Sequence, residues 1–129
     1  MRLLTAAAIF FNAAAIDDFG GRLGSTRGMD LVEQVIGAAF QSFGGEDPHP
    51  GAFAKAAMLL RGITAGHPFQ DGNKRTGFLV ASYYLDAMGH PVLPGFPFDE
   101  ALVLSRHVSA GDVRDVSLVA ITLERFWSG

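Results

Sequence analysis

Glycine and proline divide this chain into six stretches of helical length, and that punctuation constrains the fold more than any other feature. The 129 residues include 16 glycines and 6 prolines. Between these breaks, apolar residues recur three and four positions apart, and no stretch shows the strict alternation of a half-buried strand. Residues 2–17, rich in Ala, Leu and Phe, make the first predicted helix, closed by Gly20, Gly21 and Gly24. Asp30 is placed to cap a second, with Glu33 completing a capping box. Leu31, Val35, Ala38 and Ala39 form its apolar face, and Gly44-Gly45 is its stop. The run 44–51, with its glycines and prolines, is a loop. A third helix follows from Ala52 to Ala65, with Phe53, Ala56, Ala57, Leu60 and Ile63 on one face, and Gly66 ends it.

A fourth helix is predicted over Asn73–Met88, filled by Phe78, Leu79, Ser82, Tyr83 and Leu85, with Gly89 as its stop. Tyr83 and Tyr84 point about 100° apart, so at least one belongs in the core. Pro91, Pro94, Gly95 and Pro97 make a connector. Asp99 is placed to cap a fifth helix through Val108. A sixth restarts at Gly111-Asp112 and ends near Trp127, which reads as a packing residue. The expected architecture is all-α: one domain over residues 1–129, a compact bundle of about six helices. Helices three and four form a hairpin.

Composition narrows the function classes. With 49% hydrophobic and 18% charged residues the chain can bury a real core. Its net charge is −3 and its basic residues are scattered, Lys74-Arg75 being the only adjacent pair, which argues against nucleic acid. There are no cysteines, so disulfides, thiolate metal sites and cysteine nucleophiles are excluded. This fits a reducing, cytoplasmic setting. Met1 to Ala15 is apolar enough to be compared with a signal segment. Asn12 interrupts the run, however, and it is too short to span a bilayer. The reading is a buried first helix and no membrane partner.

The chemistry concentrates in the loop of the predicted hairpin, His67-Pro68-Phe69-Gln70-Asp71-Gly72-Asn73-Lys74-Arg75. His67 can exchange a proton near neutral pH, as a general base must. Pro68 fixes the backbone and Phe69 is a plug for the core, so the two anchor the loop. Asp71 offers a hard carboxylate suited to magnesium shared with phosphates. Gly72 permits a tight turn and close approach of a ligand. Asn73, Lys74 and Arg75 open a helix whose unpaired N–H groups attract anions, with two full positive charges beside them. Taken singly, each residue has a plainer explanation in a surface histidine, a turn or a solvated helix face. Their order within nine positions suits transfer of a phosphorus-containing group from a nucleoside triphosphate to a hydroxyl. His49, His90 and His107 are isolated and do not form a metal site.

The same nine residues resemble the signature of the Fic/Doc family, His-Pro-Phe-x-Asp/Glu-Gly-Asn-Gly/Lys-Arg, at every specified position. Lys55-Ala56-Ala57 through Ile63, leading into His67, is similar to the helix before that signature in Doc-like toxins. Gly20-Gly21, Gly24 and Arg27 are similar to their early loop, although this chain has Arg27-Gly28 where they often have Arg-Asp. AMP-transferring members usually have Gly at the position of Lys74 and a second Arg at the position of Phe78. Doc-like toxins have the Lys and lack that Arg, as here. The resemblance therefore implies a toxin that passes the terminal phosphate of ATP to a threonine of elongation factor Tu, stopping translation. It implies His67 as the base, Asp71 with Mg2+, and Gly72, Asn73, Lys74 and Arg75 on the phosphates. A separate antitoxin would control it, since only two asparagines exist and neither fits the family's inhibitory motif. The loop 44–51 resembles a target-docking flap, with a plain connector as its alternative. Two other functions stay open: transfer of AMP to a protein hydroxyl, and an inactive module that binds a partner.

Overall fold

The computed structural model describes residues 2–128 apart from Arg27 and Phe43, so Arg27 of the early loop lies outside the described residues. Six α-helices follow one another: α1 (Arg2–Phe19), α2 (Met29–Gly37), α3 (Ala52–Gly66), α4 (Asn73–Ala87), α5 (Phe98–Ala110) and α6 (Val116–Ser128). A 3₁₀ turn, Ala38–Phe40, extends α2, and no strand occurs among the described residues. The expected all-α bundle is what forms. Its centre is the α3–α4 hairpin, against which α1, α2, α5 and α6 pack.

The hairpin closes tightly because glycine stands at its crossing. A Cβ on Gly77 would lie 2.7 Å from the Thr64 methyl and 3.3 Å from the Leu60 carbonyl oxygen. Thr64 is fully buried and its hydroxyl donates to that same carbonyl at 2.7 Å, so it cannot turn aside cheaply. Gly77→Ala should therefore lower stability. Helix propensity offers a gain of about 1 kcal/mol, but overpacking costs about 1–3 kcal/mol. Urea unfolding measures the balance, and a raised midpoint would show that the crossing is looser than this.

Several local expectations need correction. Asp30 does not cap α2. Gly28 does, at φ 84, which favours glycine, and Asp30 already sits in the first helical turn. Likewise Pro97 precedes α5, and Asp99 lies with Glu100 in its first turn, facing the helix dipole instead of capping. The α-helical part of α2 ends at Gly37, not Gly44. The 3₁₀ turn takes over there, and its Ala39 carbonyl accepts the Lys55 ammonium at 3.3 Å. Gly111 ends α5 in the left-handed conformation instead of starting the next helix. The α6 cap is Asp115, whose Oδ1 accepts the Ser117 N–H at 2.9 Å.

The buried face of α2 is Val32, Ile36 and Ala39. Leu31, Val35 and Ala38 repeat at the same spacing one position earlier, so periodicity alone cannot choose between the two stripes. The earlier stripe instead flanks a groove shared with Met58 and Gly62 of α3. Helix α1 is only half what was expected. Leu4, Ala8, Asn12 and Ala15 are buried, while Leu3, Phe10 and Phe19 are exposed on the other side. Phe78 of α4 joins Phe96, Phe98 and Trp127 in an aromatic cluster, with Phe96 and Trp127 centroids 4.6 Å apart. Trp127 is thus a packing residue, and of the two tyrosines Tyr84 is the buried one. No helix among the described residues is long and apolar enough to cross a membrane.

Candidate functional site

The loop between α3 and α4 is held from three directions, because its first residue takes an unfavourable backbone conformation. His67 follows the end of α3 with φ 47 and ψ 55, the only non-glycine at positive φ among the described residues. Left-handed backbone costs an L-residue roughly 1–2 kcal/mol, and a following proline narrows the choice further. The compensation comes first from the connection after α1. Ser25 pairs antiparallel with Phe69, the Thr26 N–H donates to the Pro68 carbonyl at 2.9 Å, and the Gln70 N–H donates to the Gly24 carbonyl at 2.9 Å. The Thr26 hydroxyl also donates to the His67 carbonyl at 3.1 Å.

The second hold is the core. Pro68 is buried and Phe69 is only 3% exposed, packed into the main hydrophobic cluster. Asn73 brackets Phe69 from α4, with Nδ2 donating to the Phe69 carbonyl at 2.9 Å and Oδ1 accepting its N–H at 3.1 Å. The third hold is Asn12 of α1, 1% exposed, whose Nδ2 donates to the Asp71 carbonyl at 2.7 Å and to the Thr76 hydroxyl oxygen at 3.2 Å. Gly72 sits against this amide. At φ 77 it is left-handed, and a Cβ there would lie 3.2 Å from Asn12 Nδ2.

What the three holds present is the open end of α4. The helical ladder begins with the Thr76 N–H donating to the Gly72 carbonyl, 2.9 Å, and no side chain caps the helix. The N–H groups of Asn73, Lys74 and Arg75 consequently have no acceptor within the helix. They open on a hollow of about 270 Å³ lined by His67, Gln70, Asp71, Gly72, Asn73, Lys74 and Arg75. Every polar residue of the segment His67–Arg75 lines this one space, and the buried Pro68 and Phe69 do not. The Arg75 guanidinium lies 3.9 Å from the centroid of the exposed Phe19 ring, and no carboxylate pairs with Lys74 or Arg75 among the described residues.

Asp71 stands at the rim, exposed. Its Oδ2 accepts the Arg22 N–H at 2.7 Å, and its other oxygen has no partner among the described residues. A single hard carboxylate oxygen fits magnesium, which takes its remaining ligands from phosphate and water. Among the described residues no group of three or more His, Asp or Glu gathers to hold a metal unaided. The other histidines each have separate surroundings. His107 Nδ1 and Asp112 Oδ2 are 2.9 Å apart, the His90 ring lies tilted against Phe53 with centroids 4.8 Å apart, and the His49 N–H donates to Asp47.

The loop 44–51 does not line the hollow. Lys55 fastens it to the bundle, its ammonium donating to Asp47 Oδ2 at 2.6 Å and to the His49 carbonyl at 2.9 Å. The Lys55 hydrogen bond, followed by that of the His49 N–H, holds the Asp47 carboxyl below its ordinary value. Sequence reasoning missed two contributors to the site, Asn12 and the 24–26 strap. Asn12 had a visible signal, an amide in the middle of an apolar helix. The strap had none beyond its glycines.

The Fic/DOC family profile matches residues 3–85, which takes in α1 and the whole hairpin loop. The chain is 32% identical over 108 residues to Toxin Doc of Mycolicibacterium smegmatis, covering 84% of this chain and 82% of that protein.

Proposed function

The chain belongs to the Fic/DOC family, and we propose that within it the protein is a Doc-like toxin that transfers the terminal phosphate of ATP to a hydroxyl of a protein target. The target we favour is a threonine of elongation factor Tu, with arrest of translation as the outcome. An antitoxin protein would hold it in check in the cytoplasm. The observation that carries this reading is the hollow at residues 67–75, where a histidine stands beside an uncapped helix start and two cations without carboxylate partners.

The chemistry follows from those groups. A ring nitrogen of His67 takes the proton of the target hydroxyl as its oxygen bonds to the γ-phosphorus. The bond from that phosphorus to the bridging oxygen breaks, and ADP leaves. The N–H groups of Asn73, Lys74 and Arg75, with the Lys74 ammonium and Arg75 guanidinium, hold the phosphate oxygens. The Asn73 side chain keeps the loop in place through Phe69 and contributes to the anion site by its backbone. Asp71 would hold magnesium, which when bound neutralises charge on the phosphates. Lys74 favours phosphate transfer over AMP transfer, because its side chain fills space beside the helix start that glycine would leave free. Phe78 favours it too, since this position is in the aromatic core and offers no clamp for distal phosphates.

Incubation with ATP, magnesium and purified elongation factor Tu tests the proposal by intact mass. We expect one added phosphoryl group on the factor. An added AMP would establish the nucleotidyl-transfer alternative instead. No change on this or any other candidate target would leave a partner-binding module as the better description.

A further inference from the structure

The positive charge at the signature loop continues beyond α4. A second hollow, about 300 Å³, is lined by Lys74, Arg75, Leu102 and Arg106. It shares Lys74 and Arg75 with the hollow at His67, so the two adjoin across that pair and the second reaches α5. Arg106 is exposed and, among the described residues, has no hydrogen bond or carboxylate partner. Acidic residues outnumber basic ones, 13 to 10. Three cations without a carboxylate therefore converge in a chain with carboxylates to spare. Water screens the repulsion between these exposed groups, but an anion placed between them would be attracted by all three at once.

Arg75 supports the same conclusion. Its guanidinium carbon lies 3.9 Å from the Phe19 ring centroid, a cation–π contact that restrains the side chain, and its N–H groups make no hydrogen bond among the described residues. One turn later in α4, Phe78 is committed to the aromatic cluster and supplies no charge. A cation for phosphates further from the loop has to come from another helix, and Arg106 of α5 is the one that lines the adjoining space.

We propose that Arg106 belongs to the substrate site, forming with Lys74 and Arg75 a second anion subsite for the phosphates of a nucleoside triphosphate that are not transferred. This rests on the reading of the His67 hollow as the place where the terminal phosphate reacts. The polyphosphate would run from His67, over the shared Lys74–Arg75 pair, to α5. The nucleoside then lies on the Leu102 side, away from the target hydroxyl.

Calorimetric titration of the full chain with ATP and with ADP, magnesium present, tests this on wild type, Arg106→Gln and Arg106→Lys. A charge-assisted contact to phosphate is worth about ten- to a hundredfold in affinity. Arg106→Gln should weaken ATP and ADP alike by that factor, and Arg106→Lys by less. Circular dichroism should be unchanged, because the side chain is exposed. Equal affinity of wild type and Arg106→Gln for both nucleotides would overturn the subsite while leaving the reading of the His67 hollow intact. Weakening of ATP alone would also overturn it, since Arg106 would then hold the transferred phosphate. Failure of the wild type to bind either nucleotide would remove the reading of the first hollow, and this inference with it.

Discussion

Replacing His67 with alanine should leave the protein folded and lower its transfer activity by about a hundred- to ten-thousandfold, the usual contribution of a positioned general base. The two halves of that expectation have separate causes. The His67 side chain is exposed and makes no hydrogen bond among the described residues, because only its backbone carbonyl is engaged, by Thr26. Alanine keeps a Cβ, so the left-handed backbone at φ 47 is neither relieved nor worsened. Stability should therefore stay within about 0.5 kcal/mol of wild type. Phosphorylation of the proposed protein target measures the first half and thermal unfolding the second. In cells the variant should lose its toxicity. A variant that keeps a tenth or more of wild-type transfer would remove His67 as the base.

The conformation of His67 also shows why the site was legible and its support was not. The residues of the proposed reaction site lie within nine consecutive positions, so sequence order and helix-start chemistry were enough to identify Asp71, Gly72, Lys74 and Arg75 as neighbours. The hairpin was legible for the same reason: α3 and α4 are adjacent in sequence, α3 ending at Gly66 and α4 starting after Gly72. What holds His67 in place is distant. Thr26 is 41 residues away and Asn12 is 59 residues from Asp71. No local pattern encodes such pairings. Asn12 was read as a break in an apolar run, yet the same amide is what α1 contributes to the loop. The register of α2 failed for another reason. The stripes 31/35/38 and 32/36/39 are equally helical, and only tertiary packing buries the second in the core while the first flanks the groove beside α3. Asp30 and Asp99 failed because an acidic side chain suits a first helical turn as well as a cap, and glycine or proline took the cap position.

Since the Asn12 amide is the hydrogen bond from α1 to the loop, Asn12→Asp should have a large effect on stability although it is near-isosteric. Shape is kept and no cavity forms. The donor at Nδ2, however, becomes an oxygen facing the Asp71 carbonyl oxygen across a 2.7 Å contact, at a residue only 1% exposed. A carboxylate there is buried without a counter-charge, which costs about 3 kcal/mol or more. The Thr76 hydroxyl, at 3.2 Å, can turn its proton toward the new oxygen and recover only part of this. Protonation removes the problem, since a neutral acid can donate to the Asp71 carbonyl as the amide does. Burial and the facing carbonyl both raise the folded-state pKa above the unfolded value of about 3.9. The sign is therefore the reverse of a paired carboxylate. Stability is fully present below the unfolded pKa and falls as pH rises from there to the folded pKa, after which it stays low. Relative to wild type, the variant should be near-normal in acid and markedly weakened at neutral pH, with urea midpoints measured across that range giving the difference. Transfer activity at neutral pH should fall with it, because a loop displaced by about 1 Å can lose a hundredfold in rate. A difference from wild type that does not grow with pH would mean that the Asn12 amide is not what ties α1 to the loop.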